Sequence, residues 1–201
     1  MIYQKTTDMV QIKKCTFEHM TKSYPCKEKS VLDGCMIMRQ SIKPEDVQSP
    51  FQVEAYALLF CISGEVNIIS DLRSYTVTPG TLFVYLPNNI IKIDCKKESI
   101  ISGVILAPDY LRKNFLQWNK ISPLFIQTAN NPVITIPTNR KDELIRMLDN
   151  IQERIKTATC SEWNRKAYHA ALKTFLYDII SLVNNPEFLK ITDIHQSRNQ
   201  D

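Results

Sequence analysis

The stretch that decides the fold is Phe51-Gln-Val-Glu-Ala-Tyr-Ala-Leu-Leu-Phe-Cys-Ile, then Ser63-Gly64-Glu65 and Val66-Asn-Ile-Ile. It continues through Ser74-Tyr-Thr-Val, Thr78-Pro79-Gly80, Thr81-Leu-Phe-Val-Tyr-Leu, Pro87-Asn88-Asn89 and Ile90-Ile-Lys-Ile, and closes near Leu106. Runs of β-branched and aromatic residues alternate with Gly, Pro, Asn and Ser. A turn signal roughly every eight to twelve residues predicts a compact antiparallel sandwich or barrel.

Working outward, residues 1 to about 30 are mixed and polar and read as a loose arm followed by an early strand, and Val31 to Gln40, apolar with an internal Gly, predicts a strand or hairpin. Pro44 and Pro50 bracket a polar loop. Beyond the central stretch, Ser99 to Leu106 returns as a buried strand. Pro108-Asp109 opens a helix with Tyr110, Leu111, Phe115, Leu116 and Trp118 on its apolar face. Pro123 to Pro132 reads as a loop and Val133 to Ile136 as a short strand. Two helices follow. Thr138 or Asn139 is the expected cap of the first, whose stripe is Leu144, Leu148, Ile151 and Ile155. Ser161 caps the second, whose stripe is Tyr168, Leu172, Phe175, Ile179 and Leu182, widened by Leu176 and Val183. Asn184-Asn185-Pro186 ends it, and residues 186–201 form a polar linker or end. The units expected are therefore an arm over 1–30, a β unit over 31–107, a helical segment over 108–185 and a short tail.

Strands first and helices second define an α+β chain. The last stripe has two destinations, the chain's own β unit and neighbouring helix, or a partner subunit.

Composition bounds the function. With 201 residues, 44% hydrophobic and 23% charged, the chain is an ordinary globular protein. A net charge of +4 with no dense Lys/Arg stripe excludes a nucleic-acid surface on these residues. The longest apolar run, Ala55 to Ile62, is too short to span a bilayer. Six cysteines form no C-x-x-C pair, and the polar Met1-Ile-Tyr-Gln-Lys start is no secretory leader, so a reducing cytoplasm is expected. No G-x-S-x-G and no Gly-rich phosphate loop occur. His169 reads as a surface or packed histidine. Glu54 and Glu65 would act as an acid–base pair only if buried together.

The run Leu58-Leu-Phe-Cys-Ile-Ser-Gly-Glu, followed by Tyr75-Thr-Val-Thr-Pro-Gly-Thr-Leu-Phe-Val-Tyr-Leu-Pro-Asn, resembles a cupin barrel. More narrowly, residues 30–185 resemble the N-terminal sensor domain of AraC-type bacterial transcription regulators. The resemblance implies an α+β fold, an antiparallel cupin-like β-barrel (jelly-roll) followed by a helical pair, with effector sensing and dimerisation as its function. That family continues into a helix-turn-helix module, for which the residues after Pro186 leave no room. DNA would then be reached only through a missing C-terminal module.

Many cupins hold a metal with two His and a Glu before the first Gly and another His after the later Pro. Here those positions are Phe51, Val53 and Ala57, with Ile91 or Lys92 as the fourth, and none is His, Cys or a carboxylate. No metal and no cofactor are expected. Period-two alternation puts Phe51, Val53, Ala55, Ala57, Leu59 and Cys61 on the inward face. The small Ala55 and Ala57 leave a pocket, or Phe51 and Leu59 fill it. Family positions that touch sugars correspond to Ile93, Ile101 and Gly103, which implies an apolar or amphipathic effector. The expected ligand-binding set is Phe51, Val53, Ala57, Leu59, Tyr85, Ile93 and Ile101, with Tyr56, Tyr75 and Tyr85 as the nearest polar handles. The expected dimerisation set is Tyr168, Leu172, Phe175, Ile179 and Leu182, in a homodimer. The alternative is a metal-free cupin enzyme acting on a small molecule.

Overall fold

A computed structural model describes residues 12–23, 26, 28–46, 49–114 and 124–184. Arm residues 1–11, the apolar positions Phe115, Leu116 and Trp118, and the tail with Pro186 and His195 lie outside the described residues. The strands are β1 (Lys13–Thr16), β2 (Glu28–Leu32), β3 (Cys35–Ile42), β4 (Phe51–Glu54), β5 (Tyr56–Ser63) and β6 (Val66–Ser70). They continue with β7 (Arg73–Val77), β8 (Thr81–Tyr85), β9 (Ile90–Asp94), β10 (Ser99–Leu106) and β11 (Val133–Thr135). The helices are α1 (Phe17–Ser23), α2 (Pro108–Asn114), α3 (Thr138–Thr157) and α4 (Glu162–Val183), and residues 124–127, expected in a loop, are helical as well.

Two sheets form. One runs β1-β4-β9-β6-β7 and the other β11-β8-β5-β10-β3-β2. Pairing is antiparallel except for β1 against β4, which is parallel. The expected barrel is therefore a sandwich whose sheets are not closed on each other among the described residues. The corner lies at Ala55, fully buried, where the chain leaves β4 in the first sheet and enters β5 in the second. A strand that changes sheets at a bend keeps its alternation but swaps its partners. Residues 13–23 of the expected loose arm instead carry β1 and α1, which buries Phe17 and Met20. The expected hairpin forms as β2–β3 around Asp33-Gly34, both at positive φ (50° and 84°), the two-residue turn that Asp-Gly favours.

The six-stranded sheet is a middle layer. Leu58 and Phe60 of β5 are as buried as Ala57 and Leu59 on its opposite face. The reason is α4, whose Phe175 ring meets that of Phe60 at 6.1 Å between centroids. Tyr168, Leu172, Phe175 and Ile179 are all buried in this way, and Leu182 is half-buried. The stripe expected to meet a partner subunit is thus packed inside the chain, because a sheet buried on one side only would leave Leu58 and Phe60 in water. The expected α3 stripe, Leu144, Leu148, Ile151 and Ile155, is likewise buried. Arg39 and Asp149 join β3 to α3 at 2.8 Å, and Arg140 and Asp178 join α3 to α4 at 3.1 Å.

β10 sits so close to β5 that a Cβ on Gly103 would lie 2.4 Å from the Leu58 carbonyl oxygen. Ser161 caps α4, its Oγ accepting from the Asn164 N–H at 3.0 Å. The cap expected at α3 differs. Its N-cap is Pro137 with no side-chain hydrogen bond, and Thr138 is already helical.

Two outcomes follow from these contacts. Ser161→Ala lowers stability by about 1 kcal/mol while Thr138→Ala leaves it within roughly 0.5 kcal/mol, read from denaturant midpoints. Gly103→Ala costs more, roughly 2–3 kcal/mol, because the obstacle is backbone.

Candidate functional site

A cavity lies between the inward faces of the two sheets. The five-stranded sheet supplies Phe51 and Val53 from β4 and Ile91 and Ile93 from β9. The six-stranded sheet supplies Ala57 and Leu59 from β5, Tyr85 from β8, Met38 from β3, and Ile101 and Ile105 from β10. Ala55 at the corner and Met20 of α1 complete the lining. All seven residues expected to line a pocket from the sequence meet here. Cys61, expected on the same face, does not reach it; its thiol points back to the Ser63 and Gly64 carbonyls.

The sequence reading missed Met20, Met38 and Ile105. The only signal for Met20 was its i, i+3 spacing from Phe17, which gives α1 a buried edge. Met38 had no readable signal, since Cys35 through Met38 are all buried and a two-sided strand shows no alternation.

The free space is small, about 40 Å³. A dry cavity of roughly 150 Å³ is what takes up benzene. A guest of that size must move side chains, and the unbranched thioethers of Met20 and Met38 are the most adaptable in the lining.

Tyr85 is the one polar side chain at the wall, and the backbone uses its hydroxyl. Its oxygen accepts from the Val53 N–H at 2.9 Å, and its proton goes to the carbonyl of Val53 or Asn89, at 3.0 and 2.8 Å. Burial pushes its pKa up to about 12. The ring faces the cavity while the hydroxyl holds the β4 end against the turn after β8. The other two expected handles are not in the lining. Tyr56 packs on Phe125 at 4.3 Å and Tyr75 on Phe83 at 6.1 Å. Burial raises the Tyr56 pKa as well.

The cavity lining offers no carboxylate, imidazole or thiol. A metal needs several such donors converging, and two thioethers and one occupied phenol do not fit that need. Among the described residues no group of three His, Cys, Asp or Glu is placed to hold an ion. Glu54 and Glu65 are both exposed, outside the cavity, so they form no buried acid–base pair. What the lining can do is exclude water and contact an apolar surface.

No protein-family model matches the sequence, and no curated protein matches it. Among solved structures the chain is similar to a cupin superfamily protein from Desulfitobacterium hafniense, at 18% identity and a TM-score of 0.37, over 39% of this chain and 72% of that one. It is also similar to a cupin 2 conserved barrel domain protein from Salinispora arenicola, at 10% identity and a TM-score of 0.37, over 41% and 71%. A third is the Clostridium difficile EutQ protein, at 17% identity and a TM-score of 0.32, over 37% of this chain and 58% of that one. No described helix is long and apolar enough to cross a membrane.

Tyr85→Phe tests the role given to the phenol. The Val53 N–H loses its buried acceptor, so stability falls by about 1–3 kcal/mol although the ring is kept, read by chemical denaturation.

Proposed function

We propose that this chain is the effector-sensing and dimerisation domain of an AraC-type transcription regulator, with a cupin-like β unit that binds its effector between the two sheets. The observation that carries this reading is the apolar cavity, lined from both sheets and, among the described residues, lacking coordinating groups. The order of elements, a β sandwich followed by two packed helices, supports it. The effector is apolar or amphipathic, since Tyr85 has no free hydroxyl valence to spend on a polar guest. DNA would be bound by a helix-turn-helix module not contained in these residues, in a cytoplasmic, bacterial setting. An enzyme reading would require a proton-transfer group at the cavity, and the lining supplies only the occupied Tyr85.

A homodimer in this reading uses the outward face of α4, since the inward stripe is spent on Phe60 and its neighbours. Trp163 (75% exposed) and Tyr177 (51% exposed) stand on that face. They are fourteen residues apart, nearly four full turns, and so share one side of the helix.

Medium-chain alkanols test the cavity. They raise the thermal midpoint of the wild type more than sugars do at equal concentration, by the linkage of binding to the folded state. Ala57→Phe fills the space and loses that difference. Equal shifts with both compound classes would reject the apolar site. For the dimer, Trp163→Glu with Tyr177→Glu halves the mass seen by light scattering without lowering the melting temperature. An unchanged dimeric mass removes this face from the interface.

A further inference from the structure

Away from the cavity, a chain of polar groups ties α4 to the β2–β3 turn and to α2. His169 Nε2 lies 3.3 Å from Asp33 Oδ2, and His169 Nδ1 lies 2.9 Å from the Tyr110 hydroxyl. A carboxylate only accepts, so Nε2 carries the ring proton and Nδ1 accepts from the Tyr110 O–H. Asp33 is also held by Arg165, at 3.1 Å from Nε and 3.2 Å from a terminal nitrogen. The geometry is fixed from below. Asp33 sits at φ 50° in its tight turn, and a Cβ on the next residue, Gly34, would lie 3.1 Å from Tyr110 Cβ. Tyr110 itself is buried, while the His169 side chain keeps 20% of its surface, enough for a proton to arrive from solvent.

We propose that Asp33, His169 and Tyr110 form a proton-operated latch that seats α4 on the β2–β3 turn and α2 near neutral pH and loosens it when the imidazole gains its second ring proton. The proposal stands apart from the effector reading. Protonation makes Nδ1 a donor, so the Tyr110 hydroxyl must stop donating and accept across the 2.9 Å contact. The Tyr110 proton must turn inward toward Tyr168 and Cys35, two groups that burial already keeps protonated, Cys35 with its pKa pushed up to about 12. Asp33 attracts the imidazolium, but its charge is shared with Arg165.

The other charges facing the ring are Arg165 and Lys173, one turn to either side on α4, both of which oppose its ionisation. Tyr168 packs its ring 4.8 Å away. Glu18 of α1 and Asp109 and Lys113 of α2 line the groove alongside. Burial is the largest influence and holds the His169 pKa below its ordinary value, against the pull of Asp33. The sign follows. The unfolded chain takes up the proton first as pH falls, so the latch contributes fully above the ordinary histidine value and is lost as pH falls through it toward the folded value.

The test is a titration of the His169 ring by NMR in the full chain, assigned by the signal lost in His169→Gln. The expected midpoint lies below the ordinary value of about 6.5. Tyr110→Phe removes the donor that favours the neutral ring and shifts the midpoint up. Asp33→Asn removes the charge that favours the ionised ring and shifts it down. Amide protection along α4 falls between about pH 7.5 and about pH 5.5 in the wild type, and that fall is lost in Tyr110→Phe and in His169→Gln. A midpoint at or above the ordinary value, shifts of the opposite sign, or the same loss of protection in both variants would overturn the latch.

Discussion

Two-sided burial of the six-stranded sheet is the constraint on which the rest of the structure depends. Its inner face roofs the cavity through Ala57, Leu59, Ile101 and Ile105, and its outer face carries Leu58 and Phe60 under α4. Fully burying a side chain of this size contributes roughly 1.5–3 kcal/mol, so removing the helices would expose a face that no sandwich of this size can leave wet. That is why α4 spends Tyr168, Leu172, Phe175 and Ile179 on its own chain. Within that sheet β10 also needs glycine at 103, where only a missing Cβ clears the Leu58 carbonyl.

The cavity follows from how the two sheets meet. They are joined at Ala55 and pinned by Tyr85, whose hydroxyl serves the Val53 N–H and a neighbouring carbonyl at once. A buried N–H without an acceptor is costly, so the phenol is committed to structure and the rest of the wall is hydrocarbon and thioether. The same commitment sets the chemistry. Burial pushes the pKa of Tyr85, the one ionisable group in the lining, up to about 12, and its hydroxyl is already hydrogen-bonded to the backbone.

Much of the site was legible because period-two alternation survives a bend. Phe51, Val53, Ala57 and Leu59 keep their phase through Ala55 even though they end in different sheets. What alternation cannot show is partnership, and so sandwich and barrel were both expected where the described residues form two separate sheets. Helix periodicity located the α3 and α4 stripes but not their destination, because a stripe looks the same whether it faces its own sheet or another copy. Met20 and Met38 stayed hidden for different reasons. One sits on a helix of seven residues, too short for a clear period, and the other on a strand buried on both faces. The Asp33–His169–Tyr110 line was invisible because its members are spread across the chain and only the tight Asp-Gly turn brings the first beside the other two.

Sheet geometry also links the cavity to the helices. Leu59 faces the cavity and Phe60, the next residue, faces Phe175. Consecutive side chains on one strand point to opposite faces, so a displacement of β5 that makes room on one side presses on α4 on the other. The free space of about 40 Å³ leaves little slack to absorb such a displacement, and close-packed interiors transmit strain rather than dissolve it. Met20 is the softer wall. It belongs to α1, which packs on β4, follows the short β1 strand and is held to β2 where the Lys29 ammonium donates to the Thr21 carbonyl at 2.8 Å, whereas β5 is paired along both edges, with β8 and β10. A bulky guest therefore has two ways to gain volume, outward against α1 or across the sheet against Phe60. The larger number of backbone hydrogen bonds that the second route must strain favours the first.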